Sequence, residues 1–166
     1  MSEMFVRPNG ERVTLKEVAR IVATYMAARP MSSYTVTVGT DSQNYDKTKM
    51  VEVIALHRVG SGGIFFYRVN YIRRIANLRQ KIQEETQRSL QVADVLFADV
   101  EAQLAELGVD LNDMDIHFQI HCDVGYHGST KALIQEIVGW VQSLGYECCI
   151  KTNSYAASAV ADKYSK

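Results

Sequence analysis

Three strand-like segments follow one another in the first half of the chain with no helix between them, and this order constrains the fold most. The segments cover residues 34–40, 50–59 and 64–71 and are rich in β-branched and aromatic residues. Ser61-Gly62-Gly63 is a turn signal between the last two, which predicts a hairpin. A longer loop over 42–49 is expected between the first two. The chain therefore begins its core as an antiparallel sheet.

Helical patterns lie before and after these strands. Thr14-Leu15-Lys16-Glu17 has the spacing of a capping box and opens a helix that ends before Pro30. A long helix is expected over about 75–107, with Gly108 ending it. The rest of the chain is expected to form a strand at 114–122, a helix from Ser129 or Thr130 to about Leu144, a strand at 146–151 and a helix at about 154–163.

This order predicts an α/β fold with a mixed five-stranded sheet, helices on both faces and an N-terminal helix before it. The length of 166 residues suits one domain over 1–166, with 1–30 as a helical extension packed on it. No apolar run approaches the roughly 20 residues that span a bilayer, and the N-terminus lacks the pattern of a secretory signal. We therefore expect a cytoplasmic protein without a membrane partner; the oligomeric state stays open.

Two aspartates end predicted strands. Asp41 follows the first strand in Val-Gly-Thr-Asp-Ser-Gln, and Asp123 follows the fourth in Ile-His-Cys-Asp-Val-Gly. If these two strands lie side by side and parallel, their carboxylates meet at one edge of the sheet and repel each other unless a cation lies between them. Hard divalent cations prefer such oxygen ligands. An aspartate that only starts a turn is the alternative for Asp41.

Two further acids lie on predicted helices. At about 100° per residue, Glu85 falls on the edge of the apolar stripe of the long helix, about 60° from Ile82. A carboxylate there is costly unless it is paired or bound to metal. Asp162 follows a run of small residues on the last helix, which allows close packing on the sheet. A salt bridge for Glu85 and simple exposure for Asp162 are the alternatives.

These residues together resemble the YkuK-type proteins, a bacterial group described as ribonuclease H-like. The resemblance covers nearly the whole chain. It rests on 38–43, on Glu85 with Ser89, on Asp123-Val124-Gly125 followed by Gly128 and Ser129, and on Ser154-Tyr155-Ala156-Ala157-Ser158 leading to Ala161-Asp162. It implies a ribonuclease H-like fold whose four acids occur in the order Asp41, Glu85, Asp123 and Asp162.

The resemblance also implies an activity, the hydrolysis of phosphodiester bonds in DNA or RNA. Two Mg²⁺ or Mn²⁺ ions held by the four acids would stabilise the attacking and leaving oxygens. His121 and His127, which flank Asp123, are candidates for proton transfer. Candidate contacts to the substrate are Ser42, Gln43, Ser129, Lys131 and Lys151.

Two other functions compete with this one. The glycine-containing segment 123–130 resembles the phosphate loops of actin-like ATPases, although those proteins need two such domains to enclose a nucleotide. A domain of this fold can also bind nucleic acid or a protein and hydrolyse nothing. The net charge of −1 slightly favours this non-catalytic binding domain over a nuclease that binds DNA tightly.

Overall fold

The computed structural model describes residues 4–126 and 128–150. One mixed sheet has the strand order β2-β1-β5-β4-β3-β6-β7. Its strands are β1 (Phe5–Val6), β2 (Arg12–Val13), β3 (Ser33–Asn44), β4 (Thr48–Arg58), β5 (Gly63–Ile72), β6 (Asp115–His121) and β7 (Glu147–Cys149). The helices are α1 (Leu15–Ala27), α2 (Leu78–Glu106) and α3 (Ile134–Ser143), with 3₁₀ turns at Leu111–Asp113 and Lys131–Leu133.

The centre of the sheet is the long hairpin of β3 and β4, paired from Tyr34–Arg58 to Asn44–Thr48. The predicted loop over 42–49 is therefore wrong, because both strands continue to a turn of three residues. The backbone N–H of Tyr45 donates to the carbonyl of Lys47 (2.8 Å), and the Thr48 hydroxyl donates to the Asn44 side chain (2.6 Å). These bonds satisfy polar groups at the tip, so the ladder runs to the end.

The predicted hairpin between β4 and β5 is present, and its turn requires a glycine. A Cβ atom on Gly63 would lie 2.1 Å from the carbonyl oxygen of Leu56 on the opposite strand. Only a residue without a side chain allows the two backbones to approach so closely. On its other side β3 pairs in parallel with β6, from Ser33–Asp115 to Gly39–His121. β7 continues this parallel part of the sheet.

The prediction of five strands was wrong, because the sheet has seven among the described residues. The N-terminal segment is not purely helical: β1 and β2 form a short antiparallel pair before α1, and β1 adds to the edge of β5. Strands of two residues carry too little pattern to be found by alternation. Pro8 lies in the connection between them, where its missing N–H costs no ladder bond.

The three described helices share one hydrophobic core on one face of the sheet. Alternate residues of the central strands face it, among them Val36 and Val38 of β3 and Ile54 of β4, all fully buried. The expected helices on both faces are thus not found in 4–126 and 128–150, and the predicted last helix lies outside these ranges. None of the helices described is long and apolar enough to cross a membrane.

The capping box at the start of α1 is confirmed. The backbone N–H of Glu17 donates to the Thr14 hydroxyl (3.1 Å), and the N–H of Thr14 donates to the Glu17 carboxylate (3.2 Å). We expect Thr14→Ala to lower the free energy of unfolding by about 1 kcal/mol, because an N–H of the first turn loses its acceptor. Thr14→Ser keeps the hydroxyl and should stay close to wild type. Urea unfolding of the three proteins tests this; equal midpoints would contradict it.

Candidate functional site

Asp41 and Asp123 lie at the same level of the sheet. The parallel ladder between β3 and β6 ends at Gly39–His121, and each aspartate comes two residues after its member of that pair. If the strands keep their spacing of about 5 Å, the two carboxylates leave the sheet as neighbours. The prediction that Asp41 ends its strand was wrong, since β3 continues to Asn44 opposite β4. The strand that ends here is β6, the parallel neighbour of β3. Beyond Gly39, β3 therefore has no strand partner on the side where Asp123 follows β6.

A polar seam joins β3 to α2 and places Glu85 beside these aspartates. The Ser42 hydroxyl donates a hydrogen bond to the Glu85 carboxylate. One step back on the same face of the strand, the Thr40 and Ser89 hydroxyls lie 2.8 Å apart. Two residues of a strand span about 6.8 Å, and four residues of a helix span about 6 Å. The two contacts therefore match in spacing and set the position of α2 along β3.

Glu85 lies in an environment that disfavours its charge. The side chain is 3% exposed. Burial raises its pKa well above the ordinary value; the negative charges of Asp41 and Asp123 raise the pKa further, while the bond from Ser42 and the charge of Lys81 oppose the shift. The Oε1 atom is buried and has no hydrogen-bond partner among the described residues. A buried carboxylate oxygen without a hydrogen-bond partner is costly, and a bound proton or cation would remove that cost.

These residues fit a divalent cation in chemistry. The Glu85 carboxylate feels the negative charges of Asp41 and Asp123, and its Oε1 is buried and has no hydrogen-bond partner among the described residues. Oxygen donors of this type suit Mg²⁺ and Mn²⁺. Within 4–126 and 128–150, however, no group of three or more acidic, histidine or cysteine side chains is arranged to hold a metal ion. The described residues thus include acids whose charges repel one another, but they do not form a complete set of metal ligands.

The backbone on both sides of Asp123 is anchored by hydrogen bonds. The backbone N–H of Cys122 donates to the carbonyl of Cys149 (2.9 Å), and the N–H of Gly125 donates to the Thr130 hydroxyl (3.1 Å). Thr130 was expected to cap the following helix, and it makes no side-chain cap there. Its hydroxyl folds the loop instead. Because the Gly125 N–H is satisfied within the loop, it is not available to a phosphate as the ATPase resemblance would require.

The other predicted site residues lie in different surroundings. His121 is buried at the end of β6, Gln43 accepts a hydrogen bond from the Tyr45 hydroxyl (2.5 Å), and Ser129 and Lys131 are exposed. Ser42 was expected to contact substrate, but it is buried and its hydroxyl is committed to Glu85. His127, Lys151 and Asp162 lie outside the described residues.

Sequence reasoning missed two features next to the site. The pairing of Thr40 with Ser89 joins positions 49 residues apart, although the alternation of β3 already indicates that Thr40 and Ser42 share the core face. The thiols of Cys122 and Cys148 lie 3.7 Å apart on neighbouring segments. No spacing in the sequence indicates this contact, because the two cysteines are 26 residues apart.

Comparison with known proteins identifies the family of this chain. The family described as Ribonuclease H-like matches residues 17–166. The chain belongs to the ribonuclease H-like family. It is also 33% identical over 169 residues to an uncharacterized protein, YkuK, of Bacillus subtilis (strain 168), across 99% of this chain and 98% of that protein. No solved structure matches significantly.

Membership of the ribonuclease H-like family confirms the resemblance found in the sequence and fits the mixed sheet with helices. The family suggests a nuclease-type domain that binds nucleic acid. The similarity to YkuK adds no activity, because that relative is itself uncharacterized.

The pKa of Glu85 leads to a prediction on stability in the presence of a chelator. A raised pKa means that the folded protein binds this proton more tightly than the unfolded chain does. The stabilisation is complete below the pKa of a free glutamate, about 4.3, and is lost as the pH rises toward the folded value. We therefore expect Glu85→Gln to raise Tm at pH 7–8 and to flatten the decline of Tm with pH.

Glu101→Gln is the matched control, because Glu101 lies on the same helix as Glu85 but is exposed. A substitution at an exposed helix position changes stability little, so Tm should stay close to wild type with this variant. Thermal unfolding from pH 4 to 8 in EDTA compares the three proteins. If Glu85→Gln lowers Tm at pH 8, the buried carboxylate is not the source of the pH dependence.

Proposed function

We propose that the protein is a metal-dependent nuclease that hydrolyses phosphodiester bonds of nucleic acid. The observation that carries this proposal is the buried Glu85 carboxylate, whose Oε1 has no partner among the described residues although Asp41 and Asp123 stand nearby. Such repulsion is costly in a resting protein, and a bound cation converts it into attraction. The ribonuclease H-like family supports nucleic acid as the substrate.

In this proposal Asp41, Glu85 and Asp123 hold two Mg²⁺ or Mn²⁺ ions, and Asp162 completes the set from outside the described residues. Bound divalent ions would supply charge stabilisation to the attacking and leaving oxygens of the phosphodiester. Magnesium keeps several of its own waters, so few protein ligands are sufficient. We assign Asp41 as the central ligand, because its strand contacts both α2, which carries Glu85, and β6, which leads to Asp123.

The protein's own part is to hold these acids in place. Ser42 donates to one oxygen of Glu85, and the other oxygen, Oε1, is buried without a hydrogen-bond partner among the described residues. The Thr40–Ser89 contact fixes the same helix one turn further along. His121 ends β6 two residues before Asp123, and with His127 it is the candidate for moving a proton. Gln43, Ser129, Lys131 and Lys151 are the candidate contacts to the substrate backbone.

A nuclease assay tests the proposal. Single-stranded DNA, RNA and an RNA–DNA hybrid are incubated with wild type in Mg²⁺ or Mn²⁺, and with Asp41→Asn under the same conditions. We expect cleavage of at least one substrate by wild type, and a fall to the level of the chelated control with Asp41→Asn. The substitution removes charge but keeps shape, so the fold should be retained.

Asp113→Asn is a matched control, because Asp113 is exposed in the 3₁₀ turn before β6, at the opposite end of that strand from Asp123. It should cleave like wild type. Equal cleavage by wild type and Asp41→Asn would overturn the proposed site. Metal-dependent binding of nucleic acid with no cleavage of any substrate would favour the non-catalytic alternative.

A further inference from the structure

The charge of α2 is divided along its length. Its N-terminal half contains Arg79, Lys81 and Arg88 beside Glu84 and Glu85, whereas the part after Gln91 contains no basic residue and four acidic ones: Asp94, Asp99, Glu101 and Glu106. Arg73 and Arg74 add two positive charges just before the helix. The positive charge of α2 and of the loop before it therefore lies at the end of the helix that carries Glu85.

A groove of about 530 Å³ lies at this end, between the loop after β5 and the first turns of α2. Arg73 and Arg74 line it from the loop, and Gln80, Glu84 and Arg88 line it from the helix. Arg88 is paired with Glu84 and Arg79 with Glu136. In the described part of the chain Arg73 and Arg74 have no ion-pair partner, and both are exposed. The net positive charge of the groove therefore comes from Arg73 and Arg74.

The loop that carries the two arginines is held in one position. The backbone N–H of Ile75 donates to the Thr48 hydroxyl (2.9 Å), and the Asn44 side chain donates to the carbonyl of Ile75 (2.9 Å). Thr48 is fully buried and donates in turn to Asn44. The tip of the β3–β4 hairpin thus fixes the groove. Asn44 is three residues beyond Asp41, about 10 Å along the strand.

We infer that the groove between Arg73-Arg74 and α2 binds the sugar-phosphate backbone of a nucleic acid strand whose reacting bond lies at the acidic site. The inference rests on the proposed nuclease function for the identity of the ligand. Arginine forks match phosphate oxygens, and a polar groove without a deep apolar pocket reads backbone rather than bases.

This placement explains how a nearly neutral protein holds a polyanion beside an acidic cluster. The acids repel phosphate when no cation is bound, so attraction has to come from an adjacent surface. The acidic half of α2 repels the strand and the basic half attracts it, which orients the strand toward the site. Contacts of this kind position the nucleic acid without selecting a sequence.

Salt dependence of binding tests the inference. Labelled single-stranded DNA, single-stranded RNA and RNA–DNA hybrid are titrated by fluorescence anisotropy in EDTA, where cleavage does not occur, between 50 and 200 mM salt. For single strands each lost phosphate contact lowers the slope of log K against log salt by about 0.7. Arg73→Gln/Arg74→Gln should therefore reduce the slope by about 1.4 and weaken binding of every sequence alike. The three probes show which backbone the groove prefers.

Arg12→Gln/Arg20→Gln removes the same charge from exposed positions on β2 and α1 and should keep the wild-type slope. Equal slopes for wild type and Arg73→Gln/Arg74→Gln would overturn the inference, as would no binding of any probe by wild type. Asp41→Asn separates the two proposals, because it should lose cleavage and keep the wild-type slope. If Asp41→Asn cleaves normally while Arg73→Gln/Arg74→Gln reduces the salt dependence of binding, the inference on the groove is supported and the proposed metal site is wrong.

Discussion

The position of α2 across β3 depends on a buried polar contact rather than on apolar packing alone. An apolar helix face can slide along a sheet by small steps at modest cost, because dispersion is not directional. The hydroxyls of Thr40 and Ser42 permit only the position in which they meet Ser89 and Glu85. Moving the helix by one turn would break both contacts and leave at least two of these four buried polar groups without a partner. This seam places Glu85 level with Asp41 and Asp123.

The same helix connects the acidic site with the surface around it. Its buried face carries Glu85, while its exposed face changes from basic to acidic along its 29 residues. Arg79 reaches Glu136 of α3, so part of the positive charge is used to hold that helix. Arg73 and Arg74, which precede α2, form no ion pair among the described residues. One element therefore combines packing, the placement of a carboxylate and the distribution of charge.

Sequence patterns predicted those parts of the fold that are local. The capping box of α1, the turn before Gly63 and the buried phase of Glu85 all depend on residues within a few positions of one another. The extension of β3 past Asp41 could not be read in this way, because residues 41–44 are polar and look like a loop. They stay in the ladder because the Asn44–Thr48 contact and the opposite strand satisfy them. Long-range partners such as Ser89 for Thr40 leave no spacing signal.

The three acids are held close by backbone that has little freedom to move apart. Asp41 lies inside a strand paired on one side along its whole length. Asp123 lies between two anchored peptide groups, at Cys122 and Gly125. Glu85 is held by Ser42 on a helix packed into the core.

Because displacement of the chain would break these bonds, the repulsion between the carboxylates is relieved by a proton or by a cation. A proton relieves it one carboxyl group at a time and leaves the remaining oxygens poorly solvated. A divalent cation satisfies several oxygens at once, which is the physical reason that the proposed function assigns metal ions to these acids.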